Sequence, residues 1–115
     1  MNNTILIVED EVLISIDLAN LLELAGYAVL GPAHSGAEAI RLALDASPDL
    51  IIMDVQLAGD MDGISAAQAI TTKSDIPVIY LTAHSDGSTV ERAKVTAPYG
   101  FLLKPFSERE LLIAV

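Results

Sequence analysis

Short, nearly continuous apolar blocks recur along the chain: ILIV at 5–8, AVLG at 28–31, LIIM at 50–53, VIYL at 78–81 and FLL at 101–103. Runs of this length without polar alternation read as strands covered on both faces, as in a parallel sheet. Between them the apolar positions take helical spacing. Residues 11–25 put Ile14, Leu18, Leu21, Leu22 and Ala25 on one face, and Gly26 follows as a stop. Ser35-Gly36-Ala37-Glu38 reads as a capping box that opens a helix through Ile40, Ala43 and Leu44, closed before Pro48. Residues 63–73 carry Ile64, Ala67 and Ile70 as a third stripe, and residues 87–96 a weaker fourth with Val90 and Ala93. Ser107-Glu108-Arg109-Glu110 is a second capping box, for a helix reaching Leu111, Leu112 and Val115. That helix has no visible terminator, so it is expected to be short or cut short at the front of a longer protein.

The order is thus strand then helix, five times over, within one domain spanning 1–115. Parallel strands need right-handed crossovers, which gives an α/β, doubly wound open sheet with helices on both faces. In such sheets a ligand sits beyond the carboxyl ends of the strands. Those ends carry Glu9-Asp10 (with Glu11 beyond), Asp54, Thr82-Ala83 and Lys104-Pro105, whereas the second strand ends at Gly31-Pro32 with no reactive group.

Charge narrows the chemistry. Sixteen acids against 6 bases leave a formal net charge of −10, which disfavours a grip on nucleic acid or anionic lipid and suits cations and basic partners. The chain has no cysteine, so disulfides, thiolate catalysis and Cys-ligated metals are excluded. The start MNNTILIVEDE lacks the basic n-region of a signal peptide, and no apolar run approaches the roughly 20 residues of a membrane span. A cytoplasmic protein making no membrane contact is expected.

Three acids, a hydroxyl and an ammonium on one rim form a usable set. Clustered carboxylates repel one another unless a cation lies among them. Hard oxygen donors without His or Cys suit Mg²⁺. The set fits a phosphoryl group on an aspartate: metal and Lys104 neutralise its oxygens, Thr82 bonds to one, and Asp54 attacks. Rival chemistries lack their motifs. The first strand-to-helix turn, VEDEVL, has no glycine, so a dinucleotide cradle is missing. No G-x-x-x-x-G-K-[ST] or G-x-S-x-G occurs, and Glu9-Asp10-Glu11-Val12-Leu13 does not match the D-x-D-x-T of haloacid-dehalogenase-like phosphatases.

Taken in order, Glu9-Asp10, Asp54 in LIIMD, Gly63 in MDGI, Thr82-Ala83 in YLTA and Lys104-Pro105-Phe106 resemble the receiver domain of two-component response regulators over essentially the whole chain. The resemblance implies a flavodoxin-like (βα)5 sandwich with strand order 2-1-3-4-5. It implies Mg²⁺-dependent phosphotransfer to Asp54 from the phosphohistidine of a sensor histidine kinase or phosphotransfer domain. Asp10 and Asp54 would be direct metal ligands with the Gln56 carbonyl, and Glu9 would act through water, its extra methylene being the one small departure from the common Asp. Lys104 would hold the phosphoryl oxygens, beside a Lys104–Pro105 bond that is often cis in the family. Thr82 and Phe101 would form the conformational switch, and Gln56 and His84 would tune hydrolytic water.

The same likeness places an interaction face on the fourth helix, last strand and last helix, with Glu91, Arg92, Lys94, Glu108 and Arg109, and allows a receiver homodimer. The run TAPYGFLLKPF resembles receivers attached to sensor or hybrid kinases more than those on DNA-binding regulators. Residues outside the set receive plain readings: Gly63 as permissive backbone, Asp60 and Asp62 as solvated loop acids, and His34 with no role. The alternative function is a pseudo-receiver, a protein-binding module that works without phosphotransfer. A metal-dependent phosphatase would need a substrate pocket that the short loops do not suggest.

Overall fold

The computed structural model describes residues 3–57, 59, 61–82, 100–103 and 107–115. Five strands form one parallel sheet: β1 (Thr4–Val8), β2 (Ala28–Ala33), β3 (Leu50–Asp54), β4 (Val78–Thr82) and β5 (Gly100–Leu103). Their order is β2-β1-β3-β4-β5, the 2-1-3-4-5 order expected above. Four helices accompany them among the described residues: α1 (Val12–Leu24), α2 (Gly36–Ala46), α3 (Gly63–Lys73) and α4 (Glu108–Ala114). The helix expected over 87–96 lies outside the described residues, as do Ala83, His84, Lys104, Pro105, Phe106, Glu91, Arg92 and Lys94.

The central strands β1, β3 and β4 carry unbroken apolar runs up to their polar end residues because both of their faces are covered. On one face Leu6, Val8, Ile51, Met53, Val78 and Tyr80 pack with Ala39 and Ala43 of α2 and Ile64, Ala67 and Ile70 of α3. On the other, Ile5, Ile7, Leu50, Ile52, Ile79 and Leu81 pack with Leu18 and Leu22 of α1 and Leu111 of α4. Two-residue alternation along each strand feeds both cores, so no polar face is left to alternate.

Helix boundaries follow local chemistry. After α1, the Gly26 N–H reaches the Glu23 carbonyl and the Tyr27 N–H the Leu22 carbonyl, both at 3.0 Å. Gly26 takes φ +100° there, the left-handed conformation that closes a Schellman motif. Ser107 and Glu110 at α4 form the full reciprocal capping box. At α2 the box opens: Ser35 accepts from the Glu38 N–H (3.2 Å), but the Glu38 carboxylate accepts from the His34 N–H (2.9 Å), one residue before the cap. Asp62, read above as a solvated loop acid, is the N-cap of α3 and accepts from the Ser65 N–H at 2.8 Å.

The second strand differs most from its sequence reading. It does not end at Gly31-Pro32 but runs on to Ala33, through a cis Gly31–Pro32 peptide. Proline is tolerated because β2 is an edge strand. Its register with β1 shifts, Leu6 pairing with Leu30 but Val8 with Ala33, so β2 carries one extra residue in a bulge. Gly31 sits in that bulge at φ +96°, where a Cβ would lie 2.9 Å from the Ile7 carbonyl oxygen and from the Ala33 nitrogen. Only glycine fits.

Candidate functional site

Three of the four buried polar residues among those described gather where β1, β3 and β4 end. Glu9 is fully buried, Asp54 is 4% exposed and Thr82 8%. Carboxylate oxygens of Glu9, Asp10 and Asp54 all lie within 4.8 Å of one another. The register explains the meeting: Val8 pairs with Met53, so the residues that follow them, Glu9 and Asp54, emerge side by side. Each buried carboxylate is oriented by the next turn. Asp54 Oδ1 accepts from the Gln56 N–H at 3.0 Å, and Glu9 Oε1 from the Glu11 N–H at 3.1 Å.

Three like charges in so small a space are stable together when a cation sits among them. The donor set is all oxygen and all carboxylate, without nitrogen or sulfur, and Glu9 and Asp54 are desolvated by the surrounding core. This fits a hard divalent ion such as Mg²⁺.

Thr82 closes β4, one strand over from Asp54, which itself pairs with Leu81. Thr82 in turn pairs with Leu103 of β5; Lys104, next along the chain, lies outside the described residues. Phe101 is 39% exposed on β5, directly opposite Tyr80, with ring centroids 5.8 Å apart. Tyr80 and Thr82 are two residues apart on one strand and so share a face. Phe101 therefore lies on the side of the sheet to which Thr82 points. Gln56 is exposed in the turn after β3, and His84 is outside the described residues.

Two residues act differently from their sequence readings. Gly63 is not in the left-handed region, so permissive backbone is not its reason. Its Cα presses against the end of β3. A Cβ there would overlap the Asp54 carbonyl oxygen and lie 2.8 Å from the Asp54 carbonyl carbon and 3.0 Å from Met53 Cγ. The Gly63 N–H also donates to the Val55 carbonyl at 2.8 Å, docking α3 onto the turn that carries Asp54. His34, given no role above, has its ring Nδ1 3.1 Å from the Glu9 carbonyl. Asp62 ahead of the Ile64, Ala67 and Ile70 stripe was a readable capping signal; nothing local announced the contact of His34, which spans 25 residues.

An open five-stranded parallel sheet of order 2-1-3-4-5 with clustered acids at its carboxyl rim defines a CheY-like α/β signalling fold. The chain matches the response regulator receiver domain family over residues 5–115 and belongs to it. Among curated relatives it is 45% identical over 111 residues to the transcriptional regulatory protein PdtaR of Mycobacterium tuberculosis, covering 96% of this chain and 54% of that protein. It is 38% identical over 108 residues to the phyllosphere-induced regulator PhyR of Methylorubrum extorquens, covering 92% and 39% respectively. The chain thus spans about half the length, or less, of these two relatives. Both are named as regulators, not as kinases.

Among solved structures, the signal receiver domain of a modulated diguanylate cyclase from Desulfovibrio desulfuricans superposes with TM-score 0.92 at 37% identity, covering 99% of this chain and 90% of that one. The chemotaxis response regulator CheY4 of Vibrio cholerae superposes with TM-score 0.90 at 30% identity, covering 98% and 95%. Among the described residues no helix is long and apolar enough to cross a membrane.

Proposed function

We propose that this receiver domain is a phosphorylation-operated switch that takes a phosphoryl group onto Asp54 from the phosphohistidine of a sensor histidine kinase or phosphotransfer domain. The observation that carries the reading is the convergence of Glu9, Asp10 and Asp54 at the carboxyl rim of a receiver fold. An Asp54 carboxylate oxygen attacks phosphorus as the P–N bond of the donor breaks. The bonding pair leaves with the imidazole nitrogen, and Asp54 becomes an acyl phosphate. The Gln56 N–H on Oδ1 limits rotation of that carboxylate and aims it.

Asp10 and Asp54 would hold Mg²⁺ directly with the Gln56 carbonyl, and Glu9 would act through water. When bound, the ion would supply positive charge to offset that of the phosphoryl group. Thr82 donates its hydroxyl to one of those oxygens, and Lys104 brings an ammonium to them. Hydrolysis of the acyl phosphate resets the domain, with Gln56 and His84 controlling how water reaches phosphorus. A switch of this kind would work in the cytoplasm, and the acidic balance supports a domain that does not itself hold nucleic acid. The relatives favour an output in transcriptional control. The face formed by β5 and α4, with Glu108 and Arg109 exposed, suits a partner or a second receiver.

The test is intact mass after incubation with acetyl phosphate. One phosphoryl group per chain is expected with Mg²⁺ and none with EDTA, and Gln56→Ala or His84→Ala should change the rate at which the adduct is lost. No adduct with any donor would favour a pseudo-receiver.

The switch follows from the shared face of Thr82 and Phe101. A phosphoryl group on Asp54 draws the Thr82 hydroxyl toward it, and Phe101 turns inward from its half-exposed position against Tyr80. Carrying such an equilibrium from 1:99 to 99:1 takes about 5.5 kcal/mol of differential stabilisation, within reach of a charged group held by several charge-assisted bonds. Ring resonances of Phe101 should shift when a phosphoryl analogue is added with Mg²⁺. Unchanged ring resonances would remove Phe101 from the switch.

A further inference from the structure

The end of β2 holds the Glu9 residue at both of its backbone groups. The Glu9 N–H donates to the Ala33 carbonyl at 2.9 Å. The Glu9 carbonyl, 3.1 Å from His34 Nδ1, can only accept, so Nδ1 carries the proton. In a continuing parallel ladder a backbone N–H of β2 would serve that carbonyl. Here the strand has ended: the ladder donor would be the Ser35 N–H, but Ser35 has become the N-cap of α2, and the N–H of His34 is taken by Glu38 Oε1 at 2.9 Å as the chain turns into that helix. The imidazole stands in for the missing ladder donor.

The peptide held in this way joins Glu9 to Asp10. Its plane fixes ψ of the first residue and φ of the second, and so the directions in which their side chains leave the backbone. Those two side chains supply two of the three carboxylates that converge within 4.8 Å. We infer that His34 is a positioning residue for the cation site: through the Glu9 carbonyl it presets the Glu9 and Asp10 carboxylates for a divalent ion. The assignment rests on the reading above that these carboxylates hold Mg²⁺. Glu38 completes the device by pinning the backbone of His34, and the bulge at Gly31 brings β2 into register for it.

A role confined to joining β2 to β1 would move stability alone. The test therefore measures Mg²⁺ affinity by calorimetry on the whole chain, alongside the melting midpoint in EDTA. His34→Ala should weaken Mg²⁺ binding about tenfold, the lower end of what loss of an outer-shell partner costs, with little change in the metal-free midpoint. His34→Asn, whose amide Nδ2 lies where Nδ1 does, should restore most of the affinity. In the metal-free wild type, long-range ¹H–¹⁵N correlation should show the Nδ1–H tautomer.

Wild-type affinity in His34→Ala overturns the assignment. So does an Asn variant as weak as the Ala variant, an Nε2–H tautomer, or an Ala variant that cannot fold. A wild-type chain that shows Nδ1–H yet binds no Mg²⁺ is a different failure: it overturns the metal reading itself, and this inference with it.

Discussion

Replacing Asp54 by asparagine should abolish phosphoryl uptake to the limit of detection while leaving the fold intact. The amide keeps the shape of the carboxylate and an oxygen for the Gln56 N–H, so that donor keeps its acceptor. What disappears is the nucleophile, since a neutral amide oxygen does not attack phosphorus as a carboxylate does. One of three mutually repelling charges also goes, so the metal-free variant should melt no lower than the wild type. Intact mass with acetyl phosphate and Mg²⁺, beside a melting curve in EDTA, checks both halves. Uptake by the variant at the wild-type rate would move the acceptor elsewhere on the chain.

The second large effect is expected at Gly63. Alanine there introduces a methyl group into the space of the Asp54 carbonyl, and its neighbours cannot step aside. One is backbone of the central sheet and the other is Met53, which is fully buried. Overpacking of this kind costs typically 1–3 kcal/mol, and the severity of the overlap puts this case at about 3 kcal/mol. Against a domain stability of about 5–15 kcal/mol that is a large share. Urea unfolding should show a lowered midpoint with an unchanged slope. The cost falls on the acceptor as well: α3 is docked through Gly63 to the Val55 carbonyl, so its retreat shifts the turn that aims Asp54. Phosphorylation should slow in the fraction that remains folded. An alanine variant as stable as the wild type would mean that α3 withdraws freely.

How far the sequence reached can be judged residue by residue. The central strands were legible because burial on both faces leaves no polar position to blur the run, as in ILIV and LIIM. The acids at their ends were legible for the same reason: the topology rule says where strand ends go, and Glu9, Asp10 and Asp54 do meet. Ser107 and Glu110 gave away α4 through a box of local contacts.

What stayed hidden depends on approach between distant segments. The glycine at 63 was visible, but not the carbonyl of Asp54 against it. Residue 34 was a histidine after an edge strand, and nothing local pointed its ring at Glu9, 25 residues away. The strand itself ran past a proline that in a central position would have ended it, because at the edge no ladder bond is lost. Glu38 was assigned to the right helix start, yet it serves the His34 N–H instead of that of Ser35.

The central claim is that Asp54 carries the phosphoryl group, and mapping the modified residue in the wild-type chain tests it most directly. Borohydride reduces an acyl phosphate to an alcohol, so a chain loaded with acetyl phosphate and Mg²⁺ and then reduced should yield homoserine at position 54. Tandem mass spectrometry of the peptide containing LIIMD reads that position. Homoserine at 54, dependent on both donor and Mg²⁺, is the predicted result. An unmodified Asp54 beside homoserine at any other acid, or no conversion under any donor, would contradict the account.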